Sequence, residues 1–148
     1  MKNLEQSVEQ DFINEVYTAA ETGKMAISEL RDDKVAGVMQ DILNMHYAGY
    51  EELSRRALRM MAEKGGVPKG VSKPMEMMQK SMLKMNSMTD RSDSHYAKML
   101  IDGNNKGVMN IRKALNESES QLSREVIEFG KDSLELMDSF NRELSDRL

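Results

Sequence analysis

The chain has 148 residues, 39% of them hydrophobic and 31% charged, and a net charge of −4. That length suits a single domain that buries its core without a staple, and the acidic balance offers no basic field to a nucleic-acid backbone. Without cysteine there is no disulfide, thiolate nucleophile or cysteine-ligated metal, and without an apolar leader or a membrane-length run the expectation is a soluble, cytoplasmic protein.

Residues 3–31 form the first predicted helix. Phe12, Val16, Ala19, Gly23, Ala26 and Leu30 recur at steps of three and four, and Ile13, Tyr17, Ala20 and Ile27 widen the stripe. Arg31-Asp32-Asp33-Lys34 is a short polar break in which Asp32 or Asp33 can cap the next helix. A connection this short makes the two helices antiparallel neighbours. The second helix is predicted over 34–64. Val35, Val38, Met39, Ile42, Met45, Gly49, Leu53, Ala57 and Met60 mark its inner face, with His46 and Tyr50 on the flank. Gly65-Gly66 then supplies the positive φ that helix ends favour.

Residues 65–89 are a crossover. They hold both prolines, Pro68 and Pro74, and six of the fifteen methionines. Pro74 fits the first turn of a short helix on which Met75, Met78, Met82 and Met85 form a narrow stripe. Thr89 to Asp93 is a break rich in cap residues. The third long helix is predicted over 91–116, with Tyr96, Met99, Leu100, Gly103, Gly107, Ile111, Ala114 and Leu115 inward. Gly103 and Gly107 suggest close backbone approach, because each costs roughly 1 kcal/mol of helix propensity; a kink is the other reading. Ser118 with Gln121 fits a capping box for the last helix. That helix, over 120–147, carries Leu122, Val126, Phe129, Leu136, Met137, Phe140 and Leu144. From residue 117 onward nine acidic side chains face four basic ones, so this end is acidic by five charges.

Two helical hairpins joined by a long crossover are the layout of ferritin-like four-helix bundles. Residues 23–65, from Gly23-Lys24-Met25 through Tyr50-Glu51-Glu52-Leu53 to Gly65-Gly66, resemble the first hairpin of an uncharacterised bacterial ferritin-like family. Pro68, the crossover helix at 74–88, Gly103 and Lys113-Ala114-Leu115-Asn116 fit its second half, and ferritin-like spore-coat proteins are a more distant resemblance. The resemblance implies an all-α, ferritin-like four-helix bundle over 1–148, with a short crossover helix between the second and third long helices. It implies no established activity beyond a link to stress or sporulation.

Di-iron members of the superfamily need Glu-x-x-His on two helices, to bridge and terminally ligate the metals. Here Leu43 stands three residues before His46 and Ser92 three before His95. Ile101 and Asn104 stand where the third helix would carry acids. The expectation is therefore no catalytic, cofactor-binding or metal site and a structural or interaction role. The alternative is a degenerate metal site around His46, using Asp41, Tyr50 or a facing carboxylate.

The weaker constellations have plain readings beside the chemical ones. His46 reads as a flank histidine bonded to a neighbour, and His95 as a solvated first-turn residue beside Asp90 and Asp93. Met-x-x-Met at 75–78, 82–85 and 85–88 suits copper(I) chemically, but methionine is also a gap filler in helical cores, and exposed thioethers can be oxidised sacrificially. Lys64, Lys69, Lys73, Lys80 and Lys84 make the crossover basic, which reads as a solvated face or as a match for the acidic last helix. Tyr17, Tyr47, Tyr50 and Tyr96 could place hydroxyls in a polar core pocket, and the plain reading is of boundary residues with buried rings and wet hydroxyls. No phosphate-binding glycine loop or Ser-His-Asp arrangement is present. Self-association, as a homodimer or otherwise, is expected from the methionine-rich amphipathic helices.

Overall fold

The computed structural model describes residues 4–31, 35–66 and 90–148, with side chains described from residue 8 onward. The crossover prolines, the methionine stripe, Asp32, Asp33 and the lysines from Lys69 to Lys84 lie outside these residues. The described residues are all-α, built from four long helices: α1 (Leu4–Arg31), α2 (Gly37–Glu63), α3 (Asp93–Ser118) and α4 (Arg124–Ser145). A single turn of 3-10 helix, Glu119–Gln121, separates the last two.

Helix ends follow local chemistry. At the end of α2, Lys64 is the C-cap, and Gly65 follows in the left-handed region at φ 75°. The Gly65 N–H donates to Ala62 O at 3.1 Å and the Gly66 N–H to Met61 O at 3.0 Å. The last-turn carbonyls of Met61, which also accepts from the Lys64 N–H, and Ala62 are thereby satisfied, at a φ that costs glycine little. α2 begins later than the sequence suggests, at Gly37, with Ala36 as its N-cap and no side-chain cap bond. Ser92 caps α3 by accepting from the His95 N–H.

The start of α4 corrects the capping-box expectation. α3 extends to Ser118, and the cap of α4 is Ser123, whose hydroxyl accepts from the Val126 N–H at 3.3 Å. In a capping box the third helical residue would reach back to the cap's own N–H. That residue here is Val126, and the task passes to Glu9 of α1, whose Oε2 accepts from the Ser123 N–H at 2.6 Å. Glu9 also pairs with Lys64 Nζ at 3.2 Å, beside the end of α2. Burial opposes the Glu9 charge, but the Ser123 bonds and Lys64 together hold its carboxyl below the usual range.

Inter-helix pairs fix the directions. Glu9 meets Ser123 and Lys64, and Phe12 meets Gly130. Ala19 lies against Gly107, Arg56 pairs with Asp132, and Arg112 with Asp138. So α1 is antiparallel to α2 and to α3, α4 is antiparallel to α2 and α3, and α2 runs parallel to α3. The chain leaves α2 at one end of the bundle and enters α3 at the other. α1 packs most extensively on α2 and α3, and α3 on α4. One apolar cluster runs through all four helices.

Each helix offers one glycine to a large side chain of another. A Cβ on Gly23 would lie 2.6 Å from Tyr50, on Gly49 2.6 Å from Phe140, on Gly107 2.7 Å from Met137 and on Gly130 2.5 Å from Phe12. Gly107 is closely approached, but by the side chains of Met137 and Ala19 and not by the neighbouring backbone the sequence suggests. Gly103 is not: it is exposed, nothing lies within 4 Å of where a methyl group on it would stand, and Asn104 takes the inward place. Gly103→Ala is expected to raise the unfolding free energy by about 0.5–1 kcal/mol through helix propensity alone. Chemical denaturation checks it, and a loss of stability would count against an open Gly103.

The face of α2 is also rotated from the expected one. Val38 and Met45 are 53% and 60% exposed, whereas His46 and Tyr50 are each 1% exposed. Met39, Ile42, Leu53, Ala57 and Met60 are buried as expected, but the stripe widens toward Leu43, His46 and Tyr50 and not toward Val38 and Met45.

Candidate functional site

The middle of the bundle holds the polar groups that merit functional scrutiny. Gly49 lets the Phe140 ring of α4 come in against α2. The His46 ring, one turn before Tyr50, stacks on Phe140 at 3.9 Å between centroids and 17° between planes. Tyr50 meets the same ring edge-on at 5.2 Å and covers Gly23 on its other side. Three rings from two helices therefore fill the space that small residues open. Stacked and edge-on pairs add about 0.5–1.5 kcal/mol each beyond their burial.

The polar ends of these rings are paired. His46 Nε2 faces Glu143 Oε2 at 3.3 Å. The Tyr50 hydroxyl donates to Asn104 Oδ1. Asn104 Nδ2 donates to Asn141 Oδ1 at 3.0 Å, and Asn141 Nδ2 to Asn105 Oδ1 at 2.9 Å. The chain runs from a buried phenol through a buried amide to two amides nearer solvent, each passing a donor to the next acceptor. Burial pushes the Tyr50 hydroxyl well above the ordinary phenol range, so it stays protonated and remains a donor.

Burial also lowers the His46 pKa from its ordinary 6.5, against the opposing pull of the Glu143 hydrogen bond and charge. Near neutrality the ring is uncharged and donates to Glu143. The sign of the linkage follows. Above pH 6.5 the ring is neutral folded or unfolded and contributes nothing. Below that value the unfolded chain binds a proton the folded chain resists, so stability falls until the depressed folded value is passed. His46→Gln is expected to remove this slope, at most about 1.4 kcal/mol per pH unit for one group. Unfolding curves across that window check it; an unchanged slope would assign the dependence elsewhere.

A second polar group lies between α1 and α2. Glu21 accepts from the buried Ser54 hydroxyl at 2.9 Å and pairs with Lys24 at 3.0 Å. Burial opposes the Lys24 charge, but Glu21 outweighs it and raises the pKa, so Lys24 is no general base.

The sequence-predicted residues separate as follows. His46 does bond a neighbour, but from inside the core rather than the flank, because α2 is rotated. Asp41 is exposed, and the Tyr50 hydroxyl is taken by Asn104, so of the proposed metal partners only a facing carboxylate, Glu143, reaches His46. Tyr50 and Tyr96 are buried, at 1% and 2% exposure, not boundary residues; Tyr17 and Tyr47 are half-buried. His95 is half-buried, with its ring near Tyr96. Its Nε2 is enclosed and has no hydrogen-bond partner among the described residues, against the solvated reading. Periodicity missed the Asn104–Asn141–Asn105 series; the only sequence signal was an asparagine at a core-phase position.

Among the described residues no three His, Asp or Glu side chains are placed to hold a metal ion, and no helix is long and apolar enough to cross a membrane. A shallow depression of about 210 Å³ lies between α1 and α3, lined by Val8, Asp11, Phe12, Glu15, Ala114, Glu117 and Ser118. Comparison with protein-family models, with curated proteins and with solved structures gives no match.

Proposed function

We propose that the chain is a ferritin-like bundle whose role is structural or interactive rather than enzymatic. The carrying observation is the occupied centre: three rings and a hydrogen-bonded amide series use the space and hydrogen-bonding capacity that a bundle-core cofactor would need. The parallel course of α2 and α3, with antiparallel α1–α2 and α3–α4 pairs, supports the ferritin-like layout. A setting in stress or sporulation rests on the family resemblance alone. Self-association is part of the proposal, since Val38 and Leu58 of α2 and the terminal Leu148 are exposed at 44–64%. Sedimentation of the purified chain tests it, and a concentration-independent monomer would remove it.

The second reading, a degenerate metal site, draws on His46 facing Glu143 across two helices. Elemental analysis of protein purified without added metal decides between them. The expected result is no stoichiometric iron, manganese or zinc. A stoichiometric metal that disappears in His46→Ala would replace the first reading with the second.

A further inference from the structure

Six of the eight described methionines lie at the extremes of accessibility, and Met25 and Met99 are half-buried between them. Met39, Met60, Met61 and Met137 are 0–4% exposed, whereas Met45 on α2 and Met109 on α3 are 60% and 70% exposed. Packing explains the first group. Met137 closes on Gly107, and Met61 lies under Gly66. It does not explain the second, because at an exposed helix position methionine has about the same propensity as leucine, lysine or glutamine.

The two groups also differ in what oxidation would do. A sulfoxide is polar and chiral. At Met137 it would place an unpaired oxygen inside the core, which is costly. At Met45 and Met109 water already solvates the position.

We propose that Met45 and Met109 are sulfoxidation sites, taking oxygen from hydroperoxides while the fold stays intact. The sulfur lone pair attacks the distal peroxide oxygen, and the O–O bond breaks as the S–O bond forms. The displaced hydroxide takes up the remaining proton and leaves as water. The sulfur loses two electrons and the peroxide gains them, so one hydrogen peroxide gives one sulfoxide and one water.

The test is a time course of the folded, full-length chain in hydrogen peroxide, with each methionine followed by peptide mass spectrometry. Met45 and Met109 are expected to oxidise at least about tenfold faster than Met39, Met60, Met61 and Met137, which oxidant reaches only through openings of the fold. Helicity by circular dichroism should be unchanged when both are fully oxidised. Met45→Leu and Met109→Leu should each abolish one of the fast additions. In denaturant the rates should converge. Comparable rates in the folded chain, slow reaction at either exposed position, loss of helicity with these two additions, or a difference that persists in denaturant would each overturn the proposal.

Discussion

Phe140→Ala is expected to lower the unfolding free energy by about 3–5 kcal/mol, the range for removing a buried aromatic side chain. The ring is 5% exposed and touches three partners that cannot easily follow it. His46 loses its stacking face and Tyr50 its edge contact. Gly49 has no side chain with which to fill the gap. Denaturant titration gives the magnitude. Gly49→Ala approaches the same contact from the other side: its methyl would stand 2.6 Å from the ring, so overpacking of about 1–3 kcal/mol outweighs the gain in helix propensity. A small effect of Phe140→Ala, under about 1 kcal/mol, would mean that the ring does not hold α4 to α2.

The second large effect concerns the amide series. Asn104→Leu is expected to cost about 1–3 kcal/mol, because it strands the Tyr50 hydroxyl inside the core. Tyr50→Phe alone strands Asn104 Oδ1 and should cost about 1 kcal/mol. The double variant removes both partners, and its cost should be less than the sum, with a coupling of about 0.5–3 kcal/mol. A double-mutant cycle by denaturation measures this. Strict additivity would show that the Tyr50–Asn104 bond contributes nothing.

The helices themselves were legible because their stops are local chemistry. Gly65-Gly66 ends α2 through bonds within five residues, and Ser92 caps α3 through a bond three residues away. The phase of α2 was not legible. Val38-Met39-Ile42-Met45 and Met39-Leu43-His46-Tyr50 are both helical rows, and hydrophobicity favours the first. The second is buried because His46 and Tyr50 find Glu143 and Asn104, 97 and 54 residues away, and no window on one helix contains those partners. The misplaced cap has the same cause. Ser118 and Gln121 satisfy the local pattern, yet Ser123 is the cap, with its own N–H bonded to Glu9, 114 residues earlier. The centre was accordingly legible as lacking the Glu-x-x-His motifs, but not as a stacked, hydrogen-bonded core.

That Glu9 contact bears on how the molecule opens. Its carboxylate touches the N-cap of α4 and the C-cap of α2 at once. Breathing motions that lifted α4 from its start, or peeled back the end of α2, would each strip a buried charge of one partner. The resulting penalty makes independent fraying of the two hairpins unfavourable at this end. Ser123, although it sits in a connector where amides normally exchange freely with solvent, becomes part of the same cooperative unit as the helices it joins.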